Sequence, residues 1–298
     1  MQALLDAIAT AAFPVDAQRL FHGRGGLFPG CEHLALDAYP PALLLTSFEP
    51  LADEALTIIG AAITARWPEA PWVYQCRQEG GRTETRLMAG SVPEPHVVAE
   101  AGTRYGVHLL RGQNHGLFLD MAEGRRWVRE QVKPGDKVLN LFAYTCAFSV
   151  VALQAGASEV VNVDMSDGAL AIGRRNHALN GVERGAKFLP HDIFNSWGKL
   201  TRFGPYDLVI GDPPSFQKGS FVATKDYARL ARRLPSLLAP GGMALLCLNT
   251  PKLDLAFLHG VMAEHAPELA FVERVANPAS FSDASPDRAL KVLAYRLP

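Results

Sequence analysis

Cysteine is scarce in this chain. Its four cysteines, Cys31, Cys76, Cys146 and Cys247, stand far apart with no Cys-x-x-Cys pair and no His/Cys cluster. That spacing argues against a zinc site and against a disulfide framework, so no metal is expected; free thiols in a reducing cytoplasm are the simplest reading. No apolar run is long enough to span a bilayer, and no membrane partner is expected. The helix-like stretch 1–13 carries Asp6 and no basic residue, unlike a secretory signal. Lysine is missing from residues 1–130, which hold 11 Arg against 15 acidic residues, while 131–298 hold 18 basic and 15 acidic residues. The net charge of −1 therefore hides a mildly acidic first part and a mildly basic second part. Neither has the strong basic excess of many nucleic-acid binders, although a local patch can act within a neutral protein.

What is present is a globular composition, 48% hydrophobic and 20% charged over 298 residues, which suits two domains. The first part reads as small and α+β. It has a helix over 1–13, strands over 34–38 and 42–48 around Tyr39-Pro40-Pro41, a helix over 51–66, and a hairpin of 72–77 with 83–88 turning at Gly80-Gly81. Pro93 and Pro95 mark a linker, and a second hairpin is expected over 97–120, turning near Arg111-Gly112. Strands and helices then alternate: helix 122–131, strand 137–142, helix 147–155, strand 159–163, helix 168–180, strands 187–189 and 206–210, helix 225–238 and strand 243–248. This alternation predicts βαβ units and a parallel sheet, closed by a strand pair over 270–275 and 289–296. The expected division is a recognition domain over 1–95 and a catalytic domain over 96–298, the latter a Rossmann-like α/β fold of class I methyltransferase type with a final antiparallel strand.

Ligands of such sheets bind at the carboxyl ends of the strands, and four segments lie there. The loop Asn140-Leu-Phe-Ala-Tyr-Thr-Cys146 lacks the glycines of usual nucleotide loops. Val160-Val-Asn-Val-Asp164 is an apolar strand ending in an acid that could bind ribose hydroxyls or cap the next helix. Asp192, in Leu189-Pro-His-Asp192, could accept from an adenine amino group or make a local turn. The most specific is Asp212-Pro-Pro-Ser-Phe216 after a buried strand. Pro213 and Pro214 stiffen the loop and leave carbonyl acceptors, Asp212 could hold an amine or base edge, and Phe216 could stack on a ring or sit in the core.

These motifs, in this order, resemble the bacterial large-subunit ribosomal RNA methyltransferases that use S-adenosylmethionine (SAM), a group that includes a cytosine-C5 enzyme and the guanine-N7 half of a fused enzyme. The family's Arg-Gly-Gln-Lys-Thr-Gly-Phe-Phe-Leu-Asp appears as Arg111-Gly-Gln-Asn-His-Gly-Leu-Phe-Leu-Asp120, and its Asn-x-Phe-x-Tyr-Thr-Gly as Asn140-Leu-Phe-Ala-Tyr-Thr-Cys146. Its Val-Asp-x-Ser appears as Val163-Asp164-Met-Ser166, its Asp-Pro-Pro-x-Phe is kept, and Phe28-Pro-Gly to Asp37 resembles a strand of its middle domain. The resemblance covers about residues 19–298. It implies SAM binding by Asn140, Phe142, Ala143, Tyr144, Thr145, Cys146, Asp164, Met165, Ser166, Asp192, Ile193 and Asp212, with Phe118 and Asp120, and a substrate cleft between the two halves.

The departures shape expectations too. Cys146 replaces Gly, so its side chain either crowds the cofactor or shifts the loop; Ala122 replaces Arg; the family's N-terminal RNA-binding module is not expected. The C5 enzyme's nucleophilic cysteine aligns with Asn249, and Cys247, two residues earlier, reads as core. Methylation of a ring nitrogen suits Asp212, Asn249 and Phe216 better. The expected activity is methylation of a base nitrogen in ribosomal or other RNA. The alternatives are a small-molecule or protein side-chain methyltransferase and a non-catalytic SAM-binding module. His22-Gly-Arg24-Gly-Gly could wrap a phosphate or form a surface turn, His115 could face the cofactor or be a satisfied loop histidine, and Tyr227 could line the cleft or anchor its helix. The helical pairs Arg174-Arg175 and Arg232-Arg233 read as solvated.

Overall fold

A computed structural model describes residues 1–214, 216–217 and 221–298. It resolves into two compact units, Met1–Asp120 with Pro278–Ser285, and Met121–Asn277 with Pro286–Pro298.

The first unit contains α1 (Gln2–Thr10), β1 (Gln18–His22), β2 (Leu34–Tyr39), β3 (Ala42–Ser47), α2 (Asp53–Arg66), β4 (Trp72–Arg77) and β5 (Thr83–Ala89), with β1 to β5 in sequential order in one sheet. Leu4 and Ile8 of α1 and Leu56, Ile59 and Ile63 of α2 pack with Leu36, Leu43 and Leu45 of the strands. The separate hairpin of β6 (His96–Glu100) and β7 (Thr103–Val107) belongs to this unit. The unit division thus falls after Asp120 rather than at the 95/96 linker. The hairpin also turns earlier than the sequence suggests, at Ala101-Gly102, both with positive φ. That pair suits a tight two-residue turn, whereas residues 108–118 form no strand.

The second unit contains α3 (Ala122–Gln131), β8 (Lys137–Leu141), α4 (Ala147–Gln154), β9 (Glu159–Asp164), α5 (Asp167–Leu179), β10 (Ala186–Pro190), α6 (Trp197–Phe203), β11 (Tyr206–Gly211), the short strands β12 (Phe216–Gln217) and β13 (Phe221–Val222), α7 (Ala223–Ala231), α8 (Leu234–Leu237), β14 (Leu238–Leu248), α9 (Leu255–His265), β15 (Ala270–Val275) and β16 (Lys291–Arg296). Its seven-stranded sheet runs β10-β9-β8-β11-β14-β16-β15. Pairings from β10 to β14 are parallel, and β16 is antiparallel to both neighbours. This is the class I methyltransferase architecture. Side chains alternate across the sheet: Leu139, Val161, Val209 and Leu246 face one core with residues of α7 to α9, and Val138, Val160, Leu208 and Leu245 face the other with α3 and α4. The single helix expected over 225–238 is two, because Pro235 sits in the first turn of α8 and cannot continue α7. No helix among the described residues is long and apolar enough to cross a membrane.

Candidate functional site

The register of the parallel strands brings the motifs of the second unit to one edge. Leu141 stands beside Val163 on one side and Gly211 on the other, and Gly211 stands beside Leu246. β8 and β11 therefore end at one level, followed by Phe142 and Asp212; Asp164, the last residue of β9, stands one residue past it, and β14 runs two residues further before Asn249. Two strand spacings separate Asp164 from Asp212, about 10 Å. After β10 the chain crosses back to β11, beside β8, so the 142–146 loop and Asp212 border the topological switch, where doubly wound sheets bind ligands.

The loop achieves without glycine what glycine normally provides. Phe142, Tyr144 and Cys146 adopt φ of 57°, 46° and 61°, and such left-handed residues cost about 1–3 kcal/mol each. Hydrogen bonds hold them there. Ala143 N donates to Val163 O at 3.0 Å and Cys146 N to Ala143 O at 2.7 Å, Asn176 Nδ2 donates to Thr145 O at 3.0 Å, and Tyr144 N donates to Asp164 Oδ2 at 2.8 Å. Strain of this kind persists at functional sites when the surroundings over-determine it.

Cys146 does not stand free in the loop. Its thiol is fully buried, and burial, reinforced by Asp164, pushes its pKa up, so it stays neutral. The sulfur packs on α5 at Gly173, where an added Cβ would lie 2.5 Å from Sγ. The cysteine in place of the family's glycine is thus accommodated by a glycine on the neighbouring helix.

Asp164 is half-buried and accepts from Tyr144 N and, through Oδ1, from Ser166 N at 2.8 Å. It is not the cap of α5: Ser166 takes that place, accepting from Ala169 N at 3.1 Å. A carboxylate has about four acceptor positions, so Asp164 organises the loop and retains capacity for a vicinal diol. Met165 is exposed beside it.

Asp192 makes the local turn. Its carboxylate accepts from Phe194 N at 2.9 Å and from Asn195 Nδ2, with Ile193 buried beneath. It borders an open cleft of about 800 Å³ whose lining includes His191, Lys199 and Arg202. Lys199 Nζ lies 3.1 Å from His191 Nε2, and Arg202 Nε donates to Gly198 O. No carboxylate among the described residues pairs with either cation.

In the Asp-Pro-Pro segment, Asp212 is half-buried, its N–H directed at Leu141 O at 3.5 Å, Pro213 is buried and Pro214 half-buried. Ser215 and the side chain of Phe216 lie outside the described residues. Tyr227 is buried, its hydroxyl bonded to Cys247 O, and its ring meets Phe221 edge-on. It anchors α7 to β14, and burial together with Cys247 and Asp212 raises its pKa. Cys247 is fully buried in the core, whereas Asn249 is exposed just past β14.

Phe118, 40% exposed, and half-buried Asp120 belong to the first unit. The segment carrying them is tied down by buried side chains: Gln75 Nε2 donates to Gly112 O at 3.0 Å, His115 Nδ1 lies 2.9 Å from His108 O, and Tyr39 OH donates to Leu117 O at 3.4 Å. His115 is thus a satisfied buried histidine, as one of its two readings had it. The glycines of the 22–26 segment are set by close packing. A Cβ at Gly23 would lie 1.8 Å from Cys31 O, and one at Gly25 2.2 Å from Ser282 O. Carbonyl oxygens, not open space, face these two positions, which favours the turn reading over a phosphate cradle.

Sequence reasoning missed the polar chain beneath the loop. Asn140 Nδ2 donates to Asn162 Oδ1 at 2.9 Å, Asn162 Nδ2 donates to Ser149 Oγ at 2.9 Å, and Ser149 Oγ lies 2.8 Å from His177 Nε2, whose Nδ1 faces Gly173 O at 2.7 Å. All four residues are buried. Burial lowers the His177 pKa, so the neutral ring donates from Nδ1 and accepts at Nε2. The one sequence signal was an asparagine inside the apolar run Val160-Val-Asn-Val.

Comparison with known proteins gives the family and the fold. The sequence model of the S-adenosylmethionine-dependent methyltransferase family matches residues 18–296. Ribosomal RNA large subunit methyltransferase I of Aeromonas salmonicida is 30% identical over 249 residues, which are 80% of this chain and 62% of that protein. The protein of the same name from Photobacterium profundum is 30% identical over 294 residues, covering 93% of this chain and 72% of its own length. The chain thus spans less than two thirds of the Aeromonas relative. A SAM-dependent methyltransferase structure from Streptococcus mutans, 23% identical, has the same fold, with a TM-score of 0.87 over 99% of this chain and 81% of that one.

Proposed function

Because the chain belongs to the S-adenosylmethionine-dependent methyltransferase family, we propose that it methylates a ring nitrogen of a base in ribosomal RNA, or in another RNA, in the cytoplasm. The observation that carries this reading is the meeting of the strained 142–146 loop, Asp164 and Asp212 on one rim of the sheet.

When bound, SAM supplies an electrophilic methyl group on a sulfonium. The residues of the rim fit it: Asp164, with acceptor capacity left over, would hold the ribose hydroxyls, the 142–146 loop would offer its backbone, and Asp192 would accept from the adenine amino group. Asp212, stiffened by Pro213 and Pro214, accepts from the target base and Asn249 contacts its edge, so that much of the rate comes from orientation. The buried Cys247 argues against a thiolate nucleophile and hence against C5 chemistry. The names of the relatives support RNA as substrate, and the cleft with Lys199 and Arg202 is suited to a phosphodiester.

The test is transfer of labelled methyl from SAM to unmodified large-subunit ribosomal RNA over a salt series. Turnover is expected, with RNA affinity falling steeply as salt rises. The near-neutral net charge of −1 favours a second reading, methylation of a small molecule or protein side chain. SAM binding without transfer to RNA at any salt would support it against the first.

A further inference from the structure

Because β16 is antiparallel to β14, it starts where β14 ends, on the rim that carries Asp212. Its first residue, Lys291, stands opposite Leu248, the last residue of β14. Lys291 is 0% exposed. It lies on the same face of β16 as Leu293 and Tyr295, which pack in an apolar core. Taking an ammonium out of water costs several kcal/mol, and a methionine would fill similar volume without that cost, so packing alone does not select lysine here.

One bond that it makes points to another role. Nζ donates to Thr250 O at 2.9 Å, two residues beyond the end of β14. On the other side, the buried Tyr227 hydroxyl donates to Cys247 O. Two buried side chains from different elements therefore hold the carbonyls that bracket Leu248 and Asn249, and one of them, Tyr227, lies within electrostatic reach of Asp212.

We propose that Lys291 is a positioning residue for methyl transfer: its ammonium, bound to Thr250 O, fixes the chain that leaves β14 so that Asn249 meets the target base beside Asp212. The proposal rests on the RNA methyltransferase reading for the target and for its placement beside Asp212 and Asn249.

The test uses the full chain with Lys291→Met and, as a shorter neutral donor, Lys291→Gln. Amide exchange at Asn249, Thr250 and Lys252, which flank the amide-free Pro251, should quicken at least about tenfold in Lys291→Met, less in Lys291→Gln, with β14 and β16 changed less than about twofold. On unmodified large-subunit ribosomal RNA, kcat should fall about tenfold or more while the Kd for SAM stays within about threefold. Lys291→Met added to Asn249→Ala should cost little further activity, because the lysine acts through the asparagine. Unchanged exchange at Asn249, Thr250 and Lys252, or protection lost throughout β14 and β16 in both variants, would overturn the proposal. Absence of RNA turnover in the unaltered chain would contradict the RNA reading, and the exchange result would still decide the role of Lys291.

Discussion

Cys146 and Gly173 behave as one packing unit, and each constrains what the other position accepts. Gly173→Ala should gain about 1 kcal/mol of helix propensity but drive a methyl to 2.5 Å from the buried sulfur, an overpacking that costs about 1–3 kcal/mol. A net loss of stability is expected by urea unfolding. In the Cys146→Gly background the clash disappears and the same alanine should stabilise; the change of sign is the signature of the pair. Asn162 offers a second residue-scale test. It accepts from Asn140 and donates to Ser149, both buried, so Asn162→Leu strands two polar groups at about 1–3 kcal/mol each. The expected loss is about 2–6 kcal/mol, far above that of an exposed substitution such as Met165→Ala.

At the scale of elements, the strands of the parallel sheet were legible because each is an apolar run bounded by turn residues. The loop after β8 was legible as a location but not as a conformation. No glycine marks it, and the hydrogen bonds that hold Phe142, Tyr144 and Cys146 at positive φ come from β9 and α5, a tertiary effect that local sequence does not carry. Helices α6 and α9 and strand β1 passed unseen for a related reason: their patterns are weak, and packing rather than periodicity fixes them. The hairpin of β6 and β7 was misread because Gly112 stands in a more polar setting than Ala101-Gly102, although the tight turn is the latter. Of the site, Asp164 and Asp212 could be read from their position at strand ends, while the choice between the two readings of Tyr227, the role of Lys291 and the Asn162 chain required the fold.

At the scale of the whole molecule, the first unit concentrates histidines beside arginines. Arg19 Nη1 lies 2.8 Å from His22 Nδ1, and Arg77 Nη2 lies 3.3 Å from His115 Nε2. Burial, then the neighbouring arginines, lowers both histidines from 6.5 to about 4. Folded-state values below the unfolded ones mean that the unfolded chain takes up protons first, so their contribution is complete above about pH 6.5 and is lost as pH falls toward 4. The first unit should lose stability on acidification from pH 7 to 5, before most carboxylates titrate. Exchange protection of β2 to β4 should follow that fall, and His115→Gln should flatten it; protection independent of pH would contradict this origin.

The claim on which the account rests is that the carboxyl rim of the second sheet holds SAM through Asp164. Calorimetric titration of SAM into the unaltered chain and into Asp164→Ala tests it directly, with thermal unfolding as the control for folding. Binding at one site is expected, weakened by about 10- to 150-fold in the variant, since hydrogen bonds to a charged acceptor contribute about 1.5–3 kcal/mol. No binding by the unaltered chain, or equal affinity in a folded Asp164→Ala, would contradict it.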